Sequence, residues 1–477
     1  MARVLLIKPR FMTGPEFQSI THPLGLMYVG AALKAAGHSP RIHDCVRDRR
    51  NFSELKRIIK EWQPDVVGLS FIVSEVEEAG FVLSAVRSLI PDVPVVFGGP
   101  GPSANPGGML AFMGADYVIQ GEGERVFPEM VNAIGAGRSP SWVVENIPGV
   151  TAMCDGKPAG GHPAPLLSED ELDRLPFPAW DLIDHKIYAR TTSMATVGRR
   201  PYMTIITSRG CPFHCVYCHQ TVGKQFRKRS PESVLAEIDE IQARYGIGEF
   251  EIVDDCFNLD HQRMCLILEG LRKGAGKIRL HFPNGVRADQ FESGDMRLLR
   301  QAGTVSACFA VETAAPRLQK LIRKNLDMDR TVNTINAAVD ENIYTTSFFM
   351  VGLPTETFEE ARQTVDFAVK SRIHRALFML ATPFPGTELA EMAREIIKAK
   401  KLSGSLNSLN YYNNSLNISA MTDEELQKIF RMAYRKFFMN PRHVFRLLAH
   451  HPKAASLPRY GLITLIKMIP GLRRVRA

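Results

Sequence analysis

Three of the chain's eight cysteines stand within eight residues of one another, and this grouping constrains the fold more than any other feature. The stretch reads Ser208-Arg209-Gly210-Cys211-Pro212-Phe213-His214-Cys215-Val216-Tyr217-Cys218. It follows the apolar run 203–207, which is typical of a strand, so the thiols belong to one loop at the carboxyl end of that strand. The remaining cysteines are scattered, and a disulfide framework is not expected in a large chain of this kind.

The spacing CxxxCxxC lets three thiolates of one loop converge on three irons of a cubane cluster, a type normally held by four cysteines. No fourth cysteine stands near, so one iron stays open and can chelate the amino and carboxylate groups of a methionine moiety. The sequence therefore predicts a [4Fe–4S] cluster on Cys211, Cys215 and Cys218 that cleaves S-adenosylmethionine (SAM) to a 5′-deoxyadenosyl radical. The alternative is a structural zinc site with His214 or His219 as fourth ligand; the spacing after a strand argues against it.

Strands alternate with helices in two separate parts of the chain. In residues 1–140 the apolar runs 3–7, 65–70, 93–97 and 115–119 predict strands, and 24–36 has helical spacing, which together indicate a doubly wound parallel sheet. Ligands of such sheets bind at the carboxyl ends of the strands. Residues 141–195 are rich in Pro, Gly and Ser, and we predict a linker with some strand content.

Residues 196–390 repeat the alternation in a second α/β unit. Strands are predicted at 203–207, 250–254, 279–282, 305–311, 345–351 and 377–381, with helices such as 231–245 and 358–370 between them. Six such units indicate a partial (β/α)6 barrel with its chemistry at the carboxyl ends of the strands. Residues 391–477 are predicted to form a helical, basic C-terminal region.

The cysteine loop resembles the signature of the radical SAM superfamily, with Tyr217 in the aromatic position. Further stretches resemble later motifs of one branch: Val253-Asp254-Asp255-Cys256-Phe257, Asn284–Asp289, Val311-Glu312-Thr313, and Phe349–Thr357, where Thr355 replaces a glycine. The resemblance implies that SAM is bound by Tyr217, Asp254, Asp255, Asn284, Arg287, Glu312, Gly352 and Pro354. For each of these, capping or packing at a strand end is the alternative. Cys256 is expected to pack in the core, with a role as an active-site thiol as the alternative.

The first domain resembles the cobalamin-binding (Rossmann-like) domain of class B radical SAM enzymes. The matching stretches are His22–Leu26 with Ala31–Leu33, and Gly114–Val118 running into Gly121-Glu122-Gly123-Glu124. The resemblance covers residues 1–390 and implies cobalamin contacts from Ser70, Gly98, Gly99, Gly121, Glu122 and Gly123. It departs in three respects: there is no Asp-x-His-x-x-Gly motif to supply a cobalt ligand, Gly101 stands where histidine is common, and Ser103 stands where threonine is common. A degenerate domain that no longer binds cobalamin is the alternative.

This two-cofactor layout implies an enzyme that C-methylates an unactivated carbon of a lipid, tetrapyrrole or other natural product. Radical oxidative cyclisation or rearrangement is the alternative within the same group. A non-catalytic cobalamin or iron–sulfur sensor is the remaining hypothesis, although no DNA-binding or signalling domain is recognisable. The implied partners are a small-molecule substrate and an electron donor such as flavodoxin or ferredoxin.

The formal net charge of +9 is concentrated at the C-terminus, because residues 431–477 hold eleven Lys or Arg and no Asp or Glu. The catalytic core is therefore not expected to bind nucleic acid. The tail interleaves apolar and basic residues, which is typical of peripheral contact with an anionic membrane; a helix packed on the barrel with a solvated basic face is the alternative. No membrane-length apolar run or signal-peptide pattern is seen. The protein is therefore expected in the cytoplasm, either free or associated with a membrane.

Overall fold

A computed structural model describes residues 1–10, 21–48, 51–160, 162–190, 193–195, 201–219, 222–274, 276–400, 416–453, 455, 457–458 and 461–462. Its first sheet has seven strands in the order β2-β1-β3-β4-β5-β6-β7. They are β1 Arg3–Lys8, β2 Ser39–Asp44, β3 Val66–Ser70, β4 Val95–Gly98, β5 Tyr117–Ile119, β6 Val150–Cys154 and β7 Lys157–Gly160. Neighbours among the first five are parallel, and β6 and β7 pair antiparallel.

Helices cover both faces of this sheet, as a doubly wound fold requires. They are α1 Leu24–Ala35, α2 Ser53–Trp62, α3 Val76–Arg87, α4 Pro100–Ala104, α5 Pro106–Met113, α6 Gly123–Gly135 and α7 Pro140–Asn146. The side chains of β1 alternate between the two layers: Leu5 packs in the core formed with α2 and α3, and Leu6 in the core formed with α1 and α6. Burial on both faces explains why β1 is continuously apolar. The prediction of an α/β, doubly wound first domain is confirmed.

The sheet continues beyond residue 140, into the segment that we predicted to be a linker. β6 and β7 form a hairpin whose two-residue turn is Asp155-Gly156, both with positive φ. This Asp-Gly pair is a strong hairpin signal, and it was missed. The rest of the segment, with α8 Glu169–Arg174 and α9 His185–Ala189, runs between the two α/β units.

The second sheet has six parallel strands in the order β15-β14-β13-β12-β11-β8. They are β8 Met203–Ile205, β11 Glu249–Ile252, β12 Arg279–Val286, β13 Thr304–Glu312, β14 Tyr344–Val351 and β15 Arg375–Leu380, and β9 Ser208–Arg209 pairs with β10 Arg227–Lys228 in a separate hairpin. The helices are α10 Pro231–Tyr245, α11 His261–Lys273, α12 Asp295–Gln301, α13 Pro316–Leu321, α14 Met328–Asp340, α15 Phe358–Lys370, α16 Glu388–Ala399, α17 Asp423–Phe438 and α18 Pro441–His450. The predicted partial barrel and helical C-terminal region are confirmed.

The C-terminal helix α17 belongs to the barrel core. Its side chains Ile429, Ala433 and Phe437 are fully buried and pack in the same cluster as the strands. The Tyr434 hydroxyl donates to the carbonyl of Phe378 on β15 at 3.3 Å. Across the described ranges, the structure has no helix long and apolar enough to cross a bilayer.

Candidate active site

Hydrogen bonds fix the base of the cysteine loop. The Asp254 carboxylate, just after β11, accepts bonds from the backbone N–H of Thr207 and the hydroxyl of Ser208, both at 2.6 Å. Gly210 then turns the chain with φ +79°, where a Cβ would lie 2.2 Å from the carbonyl oxygen of Gln225. Asp254 was predicted to bind SAM, but both its oxygens are engaged by the loop (the second also by the Thr207 hydroxyl). Its carboxylate therefore fixes the base of the cysteine loop, and its contact with SAM stays a prediction.

The three predicted cluster cysteines come together, and a fourth thiol stands beside them. Cys215 is buried, Cys211 is half-buried and Cys218 is exposed. Hydrogen bonds between thiols lower the pKa of Cys211 to about 7, with Cys256 as donor, and that of Cys215 to about 6, with Cys218 as donor. The hydrogen bond to Cys215 and burial raise the pKa of Cys218, which is the donor of that pair. Three thiols in one loop, two of them with a lowered pKa, fit an iron–sulfur cluster with one open iron. Cys256 is buried as expected, yet it also contacts a cluster ligand.

Tyr217 and Glu312 form the acidic side of this site. The Tyr217 hydroxyl donates to Glu312 at 3.3 Å, and burial raises the pKa of Glu312 to about 7. Glu312 also has φ +68°, a strained conformation that is concentrated at functional sites. Arg287 is bound to Asp289 at 2.8 Å, and its guanidinium lies 3.9 Å from the ring centre of Phe213 in the cysteine loop.

Lys324 is a buried charged side chain at the site that sequence reasoning missed. It is nine-tenths buried, and no hydrogen bond or ion pair of its ammonium is found among the described residues. Its charge acts on Cys215 and Glu312, so it faces the site. The flanking Arg323 and Asn325 both have positive φ, and this strained turn after α13 directs the lysine inward. A single lysine in a turn carries little sequence signal, because only the tertiary fold shows where it points.

The loop after β14 places Gly352 and Pro354 at the carboxyl end of the barrel, as predicted. Glu356 accepts bonds from the backbone N–H groups of Gly352 at 2.5 Å and Leu353 at 3.0 Å, and burial raises its pKa to about 8. Thr355, which replaces a glycine, has φ +61°. Arg317 donates to the Thr355 hydroxyl at 2.9 Å and to its carbonyl at 3.0 Å. These two bonds hold a threonine in a conformation that favours glycine.

Asn284 and Asp255 complete the predicted set on the barrel side. The Asn284 amide donates to the backbone carbonyl of Asp254 at 3.1 Å, so it braces the end of β11. Asp255 lines the large cavity between the two domains, and burial together with the charge of Asp254 raises its pKa. Of these two adjacent acidic residues, Asp254 therefore braces the cysteine loop and Asp255 faces the cavity.

The large cavity, of about 600 Å³, opens at the carboxyl ends of β3, β4 and β5. Its lining includes every residue predicted at that edge: Ser70, Gly98, Gly99, Gly121, Glu122 and Gly123. A Cβ on Gly98 would meet nothing within 4 Å, whereas Gly99, at φ +89°, has the Ser70 hydroxyl 2.7 Å from its Cβ position. Apolar side chains such as Val29 and Phe127 form most of the remaining wall. A cavity with glycine backbone on one side and apolar side chains on the others has the lining expected for a large flat ligand.

Residues of the barrel line the same cavity. They include Arg209, His219, Asp255 and Phe384, from the cysteine loop and the strand ends. Within the described lining, His219 is the one histidine, and it comes from the barrel. Cobalamin would therefore be held without a histidine from the first domain, in agreement with the missing Asp-x-His-x-x-Gly motif.

Glu122 lines the cavity, but its carboxylate is bound to arginines. It accepts bonds from Arg209 at 2.8 Å, from Arg227 at 2.8 Å and from the backbone N–H of Leu167 at 2.8 Å. Burial alone raises its pKa, yet the hydrogen bonds from Arg227 and Arg209 lower the pKa overall. Arg209 also binds Glu124 at 2.6 Å. The predicted cofactor residue thus belongs to a buried ion-pair network, Glu122, Glu124, Arg209 and Arg227, that joins the cavity to the cysteine loop.

Comparison with known proteins identifies both halves of the site. Residues 205–368 match the radical SAM superfamily, and residues 13–131 match the B12 binding domain. An uncharacterised methyltransferase of Pyrococcus horikoshii is 30% identical over 95% of this chain and 94% of its own length. The cytidylyl-2-hydroxyethylphosphonate methyltransferase of Streptomyces wedmorensis is 28% identical over 91% of this chain and 90% of its own length.

A solved structure shares the fold. The radical SAM methyltransferase TsrM of Kitasatospora setae, with cobalamin and a [4Fe–4S] cluster bound, superposes with a TM-score of 0.68 at 22% identity, over 83% of this chain and 78% of its own. The thiol loop, the glycine-lined cavity and these matches agree on the same cofactors. The chain belongs to the cobalamin-binding branch of the radical SAM superfamily, and it is an enzyme that uses a [4Fe–4S] cluster, SAM and cobalamin.

Proposed function

We propose that this enzyme transfers a methyl group to an unactivated carbon of a small molecule bound where the cavity meets the cysteine loop. The supporting observation is the shared lining: Asp255, His219 and Phe384 of the barrel face the same space as Ser70 and Gly99 of the first domain. A substrate there would touch both cofactor sites at once. The two methyltransferases that align with more than nine-tenths of the chain support the same reaction class.

The roles of the protein groups follow from their charges. When bound, the cluster and SAM supply a hydrogen-abstracting radical, and cobalamin supplies the methyl group. The unpaired ammonium of Lys324 would bind the methionyl carboxylate of SAM. The buried carboxylate of Glu312 would bind the methionyl ammonium of SAM, and this positive charge would keep Glu312 ionised. Tyr217 holds Glu312 in place through its hydroxyl. Each charge of the zwitterion then meets an opposite charge that is already buried.

The walls of the cavity suggest the class of substrate. A second cavity of about 330 Å³ shares Leu24, Gly25 and Ser70 with the first, and its lining includes Lys8 and Glu75. Mostly apolar walls with a few charged groups at one end suit a lipid, a tetrapyrrole or another natural product of mixed polarity. A flavodoxin- or ferredoxin-type protein is proposed as the electron donor.

The test is anaerobic reconstitution with iron, sulfide and cobalamin, followed by reaction with methyl-deuterated SAM and candidate substrates. Methyl transfer predicts equal amounts of 5′-deoxyadenosine and of product with a deuterated methyl on carbon. Deoxyadenosine without a labelled methyl would refute methylation and support cyclisation or rearrangement. A fully loaded protein that forms neither product with any substrate, or without one, would support the sensor hypothesis.

A further inference from the structure

An exposed apolar surface lies on the C-terminal helix α18 and the turn before it. We call Met439, Val444, Phe445 and Leu448 the tail patch; their exposed fractions are 63%, 37%, 73% and 57%. Of the eleven large apolar side chains exposed in the described chain, five fall between Met439 and Leu462. Clustered exposed apolar side chains mark interaction sites, whereas isolated ones need no explanation.

The polar face of α18, not its apolar face, packs on the barrel. His443 is buried, and its ring N–H donates to the carbonyl of Val369 at 2.8 Å. Arg446 donates to the carbonyls of Ser371 at 3.4 Å and Ile373 at 3.3 Å. A surface helix normally turns its apolar stripe toward the core. In α18 the apolar side chains of the tail patch instead face away from the barrel. The alternative of a packed helix with a solvated basic face describes α17, whereas α18 in addition exposes apolar side chains.

The charge around the tail patch indicates what covers it. Residues 431–477 hold eleven Lys or Arg and no acidic residue, and Arg435 and Arg442 beside the patch are exposed. A second copy meeting patch to patch would bring two such cationic segments together, which disfavours self-association. An anionic lipid surface instead attracts the basic side chains and accepts the apolar ones.

We propose that the tail patch binds the surface of an anionic lipid bilayer. Its position in the barrel shows what the contact would do. His443 and Arg446 anchor α18 at the loops that precede β15, at the amino end of the strands, and the cysteine loop lies at the carboxyl end. The six residues of β15 separate the two ends by roughly 20 Å. The contact therefore tethers the enzyme with its active site facing the aqueous phase, and it does not depend on which reaction the enzyme performs.

The test is flotation of the full-length reconstituted enzyme with phosphatidylcholine vesicles and with vesicles that also contain phosphatidylglycerol. Binding is expected only to the anionic vesicles, and it should weaken as salt is raised. Phe445→Glu and Leu448→Glu should each weaken binding at least about tenfold, since each removes one buried apolar side chain from the contact. Phe112→Glu is the matched control: Phe112 on α5 is also 73% exposed, but no Lys or Arg stands within ten residues of it in the sequence, and binding should not change.

Point substitutions are needed because α17 forms part of the core, so deletion of residues 431–477 would remove Ala433 and Phe437 from it. Phe445→Trp is a second probe that keeps the apolar side chain; its emission should shift to the blue on anionic vesicles alone. Equal binding to neutral vesicles, equal loss in Phe112→Glu, or no binding at low salt would each overturn the proposal. So would a change from dimer to monomer on Phe445→Glu without vesicle binding, because that result would assign the patch to a second copy.

Discussion

The two cofactor sites of this enzyme are lined by different kinds of residue. The barrel side presents thiols, a buried lysine, a buried glutamate and strained backbone at Glu312 and Thr355. The first-domain side presents glycines and apolar walls, and its two lining glutamates, Glu122 and Glu124, are paired with arginines. A site that holds a charged cofactor through bonds and ion pairs can be recognised by residue type. A site that holds a large ligand by shape can be recognised only by the space left open.

The largest effect expected from this comparison is the loss of one thiolate ligand. Cys215→Ala should lower 5′-deoxyadenosine formation by at least about 1,000-fold, because a group essential to the chemistry is removed. Cobalamin binding should be retained, since Cys215 does not line the cavity. Iron content, visible absorbance and cobalamin retention after desalting are the measurements. Cys154→Ser, in the first domain, is the control; a simultaneous loss of cobalamin in Cys215→Ala would break the separation of the two sites.

The next effect concerns the buried network between the sites. Arg227→Met leaves Glu122 short of a buried partner, which should lower the free energy of unfolding by about 3–5 kcal/mol. Arg125→Met removes the exposed ion pair with Glu171 and should cost under about 1 kcal/mol. Denaturant unfolding of the apo chains compares the two. If Arg227→Met with Glu122→Leu is no more stable than Arg227→Met alone, the network is not the origin of the loss.

A smaller effect is expected on the cobalamin side. Gly99→Ala places a Cβ 2.7 Å from the Ser70 hydroxyl, so the loop must shift and cobalamin affinity should fall about tenfold. Gly114→Ala has a similar positive φ of +80° but meets nothing within 4 Å, so it isolates the strain from the crowding. Cobalamin titration of the two variants makes the measurement. If cobalamin affinity falls equally in the two variants, backbone strain, and not space at the cavity, is the cause of the fall.

Lys324→Met tests the barrel side without removing a ligand. The KM for SAM should rise about tenfold, the scale of one charge-assisted hydrogen bond, while cluster absorbance stays unchanged. Lys324→Arg should restore part of the affinity because it keeps the charge. Loss of the cluster in Lys324→Met would instead assign the lysine to support of the thiol loop.

The last effect, small within any single pH unit, is a pH dependence of stability from Glu356. Burial raises its pKa from 4.5 to about 8, so the folded state holds more protons than the unfolded state between these values. Stability therefore falls as pH rises from about 4.5 to about 8, by at most about 1.4 kcal/mol per pH unit, and is level above. Glu356→Gln should flatten that slope in pH-dependent unfolding experiments. A slope that is identical in the two proteins would contradict the assignment.

Sequence reasoning succeeded where periodicity or chemistry is local. The helices 231–245 and 358–370 are found with the predicted bounds, and the six barrel strands lie where apolar runs stand. The strand Ser39–Asp44 was missed because, at the edge of the sheet, it is only partly apolar. Lys324 and the partners of Glu122 were missed because their contacts join residues distant in the chain. The roles of the individual cofactor residues remain predictions for the experiments above.

The buried arginines and glutamates also bear on how freely such enzymes can be recombined. Glu122 and Glu124 come from one domain, and Arg209 and Arg227 from the other. A chimera that exchanged either domain alone would leave an uncompensated buried charge at the interface unless the new half brought matching residues. The two domains are therefore expected to be inherited as a pair. Engineering of hybrid enzymes would have to transfer both halves of the ion-pair network together.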